Sequence, residues 1–352
     1  MAEPDGLTGD DLLVERLAPE PAVRAWIGDR LPGEGPFRMK RVTTGHSNEL
    51  FSLERDGHRF VLRRPPRVSN SPRAHDMARE FRVQRALHES GVPHAEAFLL
   101  CEDDDVIGAP FYVMEHLDGL RLYDDLPAPF DEPAARRRVA EELFDALAAI
   151  HDVDWRAVGL DDFGRPDNFT ARQADRWMRQ LASYRTRDLP DLDAAARWLC
   201  DHVPTTQRAT LIHGDYGLHN VLYAREQPTY MIGVVDWETA TIGDPLMDLG
   251  YLAGLWLEGD EPQRWSASAL PYDVAGFPGR AELTARYASR TGLELTDLAW
   301  YRAMAQLKVA CILEGSYARF VRGDADDAHL ATFEHAVPNH AAYALAITRG
   351  EA

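Results

Sequence analysis

Along this chain the spacing of apolar residues changes period, and the changes divide it. From Phe37 to Leu62 the pattern is that of strands: FRMKRV, LFSLER and HRFVLRR, separated by the polar turn TTGHSNE and by Asp56-Gly57. Asp-Gly between two extended runs predicts a tight hairpin. Ala97 to Leu100 and Phe111 to His116 predict two more strands, joined by the acidic turn Glu102 to Asp105. A helix is expected from Asp76 to Ser90, with Met77, Phe81 and Leu87 toward one side and Gly91 as its stop. Ahead of the strands, Leu13, Leu17, Val23 and Ile27 around Pro19 and Pro21 predict two short helical pieces, and Pro32 to Pro36 breaks the chain.

After Asp118-Gly119 the period turns helical. Asp131 starts a long helix with Pro133 in its first turn and Val139, Leu143, Leu147 and Ile150 on its core side. Two more helices, about 171 to 186 and 191 to 203, rest on Trp177, Leu181 and Tyr184 and on Leu192, Leu199 and Val203. Helices return at about 245 to 257, 279 to 290, 297 to 321 and 327 to 347, and Pro338 is expected to kink or split the last. Between these sets, Ala209 to Ile212, Val221 to Tyr223 and Tyr230 to Val235 read as strands around a polar loop and a turn. The predicted architecture is α+β. A small antiparallel-sheet lobe spans 1–117, with a helical extension over 1–35, and a larger, mainly helical lobe spans 118–352.

Charge narrows the partners. Lys plus Arg number 38 against 57 Asp plus Glu, a net charge of −19, which argues against non-specific binding to nucleic acid or to an anionic membrane. Cys101, Cys200 and Cys311 lie far apart with no CxxC pair, the pattern of reduced thiols rather than a disulfide frame. The start, MAEPDGLTGDD, lacks the basic and apolar regions of a signal peptide, and no apolar run approaches the ~20 residues of a membrane span. A cytoplasmic monomer or homodimer is expected.

The candidate chemistry sits at strand ends. His213-Gly214-Asp215 and Asn220 follow one strand, and Asp236-Trp237-Glu238 ends another. An Asp, an Asn five residues on and a second strand-end Asp supply a proton acceptor and oxygen ligands for Mg²⁺, the parts that phosphoryl transfer requires. On these residues alone, Mg²⁺-dependent phosphoester hydrolysis is also open, although it leaves the small lobe unexplained.

HGDxxxxN with a downstream DWE between flanking strands resembles the aminoglycoside phosphotransferase (choline kinase-like) branch of the protein-kinase-like fold. Phe60 to Pro66, Arg79 to Val83, Phe163 to Asn168 and Gly243 to Leu249 are similar to a subgroup related to the kinase-like domain fused to some acyl-CoA dehydrogenases. The resemblance covers roughly residues 25 to 340 and implies an ATP-dependent kinase acting on a small-molecule hydroxyl. It makes Asp215 the catalytic base, Asn220 and Asp236 the Mg²⁺ ligands, His213 a structural residue and Asp248 an orienting carboxylate. Glu238 becomes either a ligand of a second ion or a surface ion-pair partner. His219 stands in the same loop.

The nucleotide loop would be Thr43 to Asn48, with Thr44, Gly45, Ser47 and Asn48 around the phosphates; by its turn residues alone it also reads as a simple hairpin turn. Arg63 stands where this fold carries a phosphate-binding lysine and would pair with Glu80, which by helix spacing alone is a surface partner of nearby arginines. Arg64 is the adjacent alternative, aimed at the opposite face. The backbone of Met114 to Leu117, including Glu115 and Leu117, would hold adenine. The subgroup points to a metabolic hydroxyl acceptor such as a hydroxyacyl thioester. An aminoglycoside is the alternative acceptor, and Arg63 in place of lysine motivates a nucleotide-binding pseudokinase.

Overall fold

The computed structural model describes residues 9–42, 48–66, 76–123, 125–225, 230–270, 272, 274–325 and 327–352. The chain forms two compact units. Met1–Gly119 joins with Ile232–Glu238, and Leu120–Met231 joins with Thr239–Ala352. Ile232–Glu238, late in sequence, thus packs with the first unit.

In the first unit, α1 (Gly9–Leu17) and α2 (Glu20–Ile27) precede β1 (Arg38–Val42), β2 (Glu49–Arg55) and β3 (His58–Arg64). Asp56 and Gly57 both take positive φ, the requirement of a two-residue hairpin turn matched to strand twist. Next come α3 (Met77–Ala86), β4 (Ala97–Cys101) and β5 (Phe111–Glu115), completing an antiparallel sheet of order β1-β2-β3-β5-β4. Val14, Leu17, Val23 and Ile27 of the two leading helices bury against Phe51, Leu53, Leu62, Phe111 and Val113 of the sheet. Burying each such side chain is worth roughly 1.5–3 kcal/mol. Arg64 supports this packing. Its Nη1 donates to the carbonyls of Leu17 and Ile107, so two buried backbone oxygens are satisfied by one guanidinium.

α3 ends about four residues earlier than the apolar spacing predicts. The Leu87 N–H closes onto Val83 and Arg85, and Ser90 caps the following turn by donating to Leu87 O at 2.7 Å. The segment from Ile232 contributes most of a strand (Met231–Val234, numbered β9 below), whose Val234 bridges His94 and whose amide donates to Pro93 O at 2.8 Å.

The second unit begins after β6 (Gly119–Leu120) and is mainly helical: α4 (Pro133–Asp152), α5 (Gln173–Ala182), α6 (Pro190–Asp201), α7 (Leu246–Leu255), α8 (Glu261–Arg264), α9 (Arg280–Thr291), α10 (Leu298–Val321) and α11 (Phe333–Thr348). The short strands β7 (Thr210–Ile212), β8 (Val221–Ala224), β9 (Met231–Val234) and β10 (Thr241–Gly243) carry the polar loops. β7 and β10 pair antiparallel, with Ile212 opposite Thr241. Leu192 and Leu199 are buried on α6, but Val203 lies past its end and is exposed. The described residues contain no helix long and apolar enough to cross a membrane.

Pro338 does not split α11. Proline removes the N–H that would reach Glu334 O one turn back, and Arg187 Nη1 donates to that carbonyl instead, at 2.7 Å. The same guanidinium binds Glu314 Oε2 through Nε at 3.1 Å and Nη2 at 2.9 Å.

Candidate active site

The chemistry-bearing residues form two constellations, one in each unit. In the first, strand alternation aims Arg63 at the sheet face opposite Arg64. Arg63 Nε lies 2.8 Å from Glu80 Oε2, and its Nη2 donates to Asp236 Oδ1 at 2.6 Å, with Glu238 Oε2 3.8 Å away. Helix spacing made Glu80 a surface residue by default; it is instead 1% exposed, because α3 turns this side onto the sheet. Glu80 also accepts from Tyr112 Oη at 3.2 Å and Asn48 Nδ2 at 3.4 Å, and Gln84 donates to Tyr112 at 2.8 Å. Burial opposes charge on Arg63, but Glu80, Tyr112 and Asp236 outweigh it and raise its pKa, so the guanidinium stays protonated. Burial pushes the Glu80 carboxyl up, and Arg63 opposes that shift.

Asp236 adopts φ of 69°, a left-handed conformation that non-glycine residues seldom take and that clusters at functional sites. The buried Trp237 beside it holds the turn by donating Nε1 to Val234 O at 3.1 Å. Glu238 accepts from Asn48 Nδ2 at 3.1 Å. Of the nucleotide-loop residues, Thr44, Gly45 and Ser47 lie outside the described residues. Glu115 is exposed at the end of β5, where its carboxylate accepts from Glu96 N at 3.2 Å. Leu117 packs tightly against Gly233, where an added Cβ would meet Leu117 Cδ1 at 2.2 Å.

In the second unit the loop after β7 is fixed by its backbone. Asp248 on α7 accepts from His213 N at 2.6 Å and Gly214 N at 2.8 Å. Burial would raise its carboxyl, but the hydrogen bond from His151 and its other donors hold the pKa below the ordinary value. His151 Nδ1 in turn meets Tyr287 Oη at 2.6 Å. Gly214 has φ of +84°, and a Cβ there would meet Thr239 O at 2.8 Å, so glycine is required for both conformation and space. The fully buried His213 accepts from Asp215 N through Nδ1 at 3.2 Å.

These contacts present Asp215 with its side chain 35% exposed. Asn220 Nδ2 donates to Asp215 O at 2.9 Å and Oδ2 at 3.1 Å, which turns the amide oxygen of Asn220 away from these bonds. His219 Nε2 lies 3.4 Å from Oδ2, and Lys308 Nζ of α10 lies 4.0 Å from Oδ1. Lys308 also donates to Gly214 O and stands 4.5 Å over the Tyr251 ring. Burial pushes the Asp215 carboxyl up. His219, Lys308 and Tyr251 together outweigh it and hold Asp215 well below the carboxylate range, hence ionised at neutral pH.

Lys308, Tyr251 and His151 were invisible as site residues in the sequence pattern, where they read as members of core helices. A signal existed for Lys308. It is one of only two lysines in the chain and interrupts an apolar helical run. Asn220 belongs to the second unit and Asp236 to the first. Among the described residues, no three His, Cys, Asp or Glu side chains converge as a metal cluster. The oxygens of Asn220 and of Asp236 are nonetheless of the hard type that Mg²⁺ selects.

The model of the phosphotransferase enzyme family matches residues 38–288. Acyl-CoA dehydrogenase family member 10 of Mus musculus is 33% identical over 296 residues, covering 84% of this chain; the chain spans 28% of that longer protein. A crystal structure of a putative aminoglycoside phosphotransferase from Ralstonia eutropha JMP134 shares 33% identity at a TM-score of 0.81, covering 94% of this chain and 98% of that one. A thermostable mutant of aminoglycoside phosphotransferase APH(4)-Ia, in ternary complex with ADP and hygromycin B, shares the fold at 17% identity and a TM-score of 0.57, covering 98% of this chain and 99% of that one. The two-unit architecture is that of a protein-kinase-like fold, and the chain belongs to the phosphotransferase enzyme family.

Proposed function

We propose that the protein is an ATP-dependent kinase that transfers the γ-phosphoryl group to a hydroxyl of a small molecule. The observation that carries the reading is Asp215: an ionised, accessible carboxylate whose loop backbone is pinned by Asp248 and whose oxygens are set by Asn220, His219 and Lys308. Such a carboxylate accepts a hydrogen bond from an acceptor hydroxyl, orients it for in-line attack and takes its proton as the new bond forms. Asn220 and Asp236 would hold Mg²⁺, which neutralises charge on the phosphates when bound. Arg63 would bind nucleotide phosphates while Glu80 keeps its guanidinium oriented. The bound ADP of APH(4)-Ia supports ATP as the donor. The relationship to acyl-CoA dehydrogenase family proteins supports a metabolic hydroxyl compound, such as a hydroxyacyl derivative, as acceptor.

The test is a thermal shift with ATP and Mg²⁺, followed by an acceptor panel read for a mass gain of about 80 Da, one phosphoryl group. Asp215→Ala should reduce transfer by roughly 10²–10⁴-fold while nucleotide binding persists. A second reading has one observation in its favour: Arg63 is already paired with Asp236, which would compete with nucleotide and metal. Tight, Mg²⁺-dependent ATP binding with no transfer to any acceptor would identify a nucleotide-binding pseudokinase instead.

A further inference from the structure

An open cavity of about 260 Å³ in the second unit is lined by Arg165, Phe169, Arg172, Gln173, Arg176, Arg179 and Thr241. Four of its seven lining residues are arginines and none is acidic, in a chain whose net charge is −19. Arg172, Arg176 and Arg179 are spaced four and three apart, so they share one face of the helical turn leading into α5 and of α5 itself. Arg165 comes from the preceding loop. Among the described residues, none of the four forms an ion pair with a carboxylate. Arg172 donates to the carbonyls of Asp167 and Arg165, and Arg179 Nε donates to Asp175 O at 3.2 Å. Arg176 lies 5.4 Å from the Trp177 ring, and among the described residues the Arg165 guanidinium has no hydrogen-bond or ion-pair partner.

The frame around these arginines is closely packed. Gly164 packs so closely on β10 that a Cβ would meet Ile242 N at 2.6 Å, which fixes the chain just before Arg165. Phe169 lies against Gly243, where a Cβ would meet its ring at 2.8 Å. Thr170 Oγ1 donates to the buried Asp244 at 3.0 Å, and Tyr301 Oη donates to the same oxygen at 2.8 Å. The cavity also adjoins the catalytic loop. Its wall residue Thr241 is paired with Ile212, three residues before Asp215. Arg176 is near enough to Lys308 for its charge to disfavour protonation there, and Lys308 stands beside Asp215.

We propose that this arginine pocket is an anion-binding subsite that holds a phosphate or carboxylate group of the acceptor whose hydroxyl meets Asp215. Guanidinium groups free of carboxylate partners recognise such groups by charge-assisted, often bidentate hydrogen bonds. The acceptor class is then an anionic hydroxyl compound, and a polycationic aminoglycoside is disfavoured despite the acidic chain as a whole. The role in acceptor binding rests on the kinase reading; the anion site does not.

Calorimetric titration with sodium pyrophosphate and, separately, glutarate tests the site. Wild type should bind at least one of them, and Arg165→Gln/Arg176→Gln should bind it about tenfold or more weakly, with partial recovery in Arg165→Lys/Arg176→Lys. Pyrophosphate binding alone identifies a phosphate subsite, and glutarate binding alone a carboxylate one. No binding by wild type, or unchanged affinity in the glutamine variant, overturns the site. All four arginines are exposed, so these variants should fold like wild type, which circular dichroism will verify. In acceptor kinetics, the glutamine variant should raise KM for anionic acceptors about tenfold, with kcat changed by less than about twofold. Turnover confined to uncharged or cationic acceptors, insensitive to these substitutions, refutes the acceptor role while leaving the kinase reading intact. Absence of transfer to every acceptor refutes the kinase reading, and calorimetry still decides the anion site.

Discussion

At the residue scale, the environment of each ionisable group sets what it can do. Asp215 is kept ionised partly by Lys308, so Lys308→Met should raise its pKa. The acidic limb of the kcat/KM profile should then move to higher pH, with kcat reduced about tenfold; a profile superimposable on wild type would remove Lys308 from the mechanism. His340 titrates for a different reason. Burial lowers its pKa from 6.5 to about 4, and Gln306 and Ser268 surround its ring. Between pH 4 and 6.5 the unfolded state binds the extra proton, so stability should climb with pH through that window by up to about 1.4 kcal/mol per unit and level off above it. In His340→Gln, denaturant melts across that range should lose this component of the slope.

At the element scale, packing decides whether local rules hold. Pro338 breaks a rule that α11 survives because Arg187 serves the stranded carbonyl. Arg187→Ala also leaves Glu314, 0% exposed, without its cation, and should cost about 3 kcal/mol, near the lower end for a broken buried pair because Thr186 still donates to it. In a Pro338→Ala background the restored backbone bond should make the same substitution less damaging. Additive losses in the double-mutant cycle would show that Arg187 does not act through that carbonyl. The turn at Gly214 is equally specific. Gly214→Ala should abolish transfer and lower the melting temperature, since both φ and the approach of Thr239 exclude a Cβ.

At the scale of the whole molecule, the core of the first unit is assembled from distant segments. Removing residues 1–27 would strip Val14, Leu17, Val23 and Ile27 from the sheet and expose the underside of β2, β3 and β5. Limited proteolysis should then cut first within the residue 38–115 region, and it should remain resistant if the leading helices are dispensable. Charge also reads differently at this scale. The total of −19 describes the surface on average, whereas four arginines line one cavity beside the strand that leads to Asp215.

The hairpin lobe, the helices of the larger lobe and the strand-end clusters at Asp215, Asn220 and Asp236 were legible because each is a local pattern. Alternation, helical spacing and turn residues are written within a few positions of one another. Even Arg63 as the inward partner of Glu80 followed from strand alternation combined with family resemblance. What no local pattern contained was which distant side chains meet. The surroundings of Asp215 come from α7 and α10, the Asp236 segment packs with a unit more than a hundred residues earlier, and Thr241 of β10 lines the arginine pocket. Such contacts depend on how amphipathic faces bury against one another in three dimensions. The sequence by itself therefore determined the family and the candidate reacting groups, and only the tertiary structure decided their charge states, their partners and the cavity beside them.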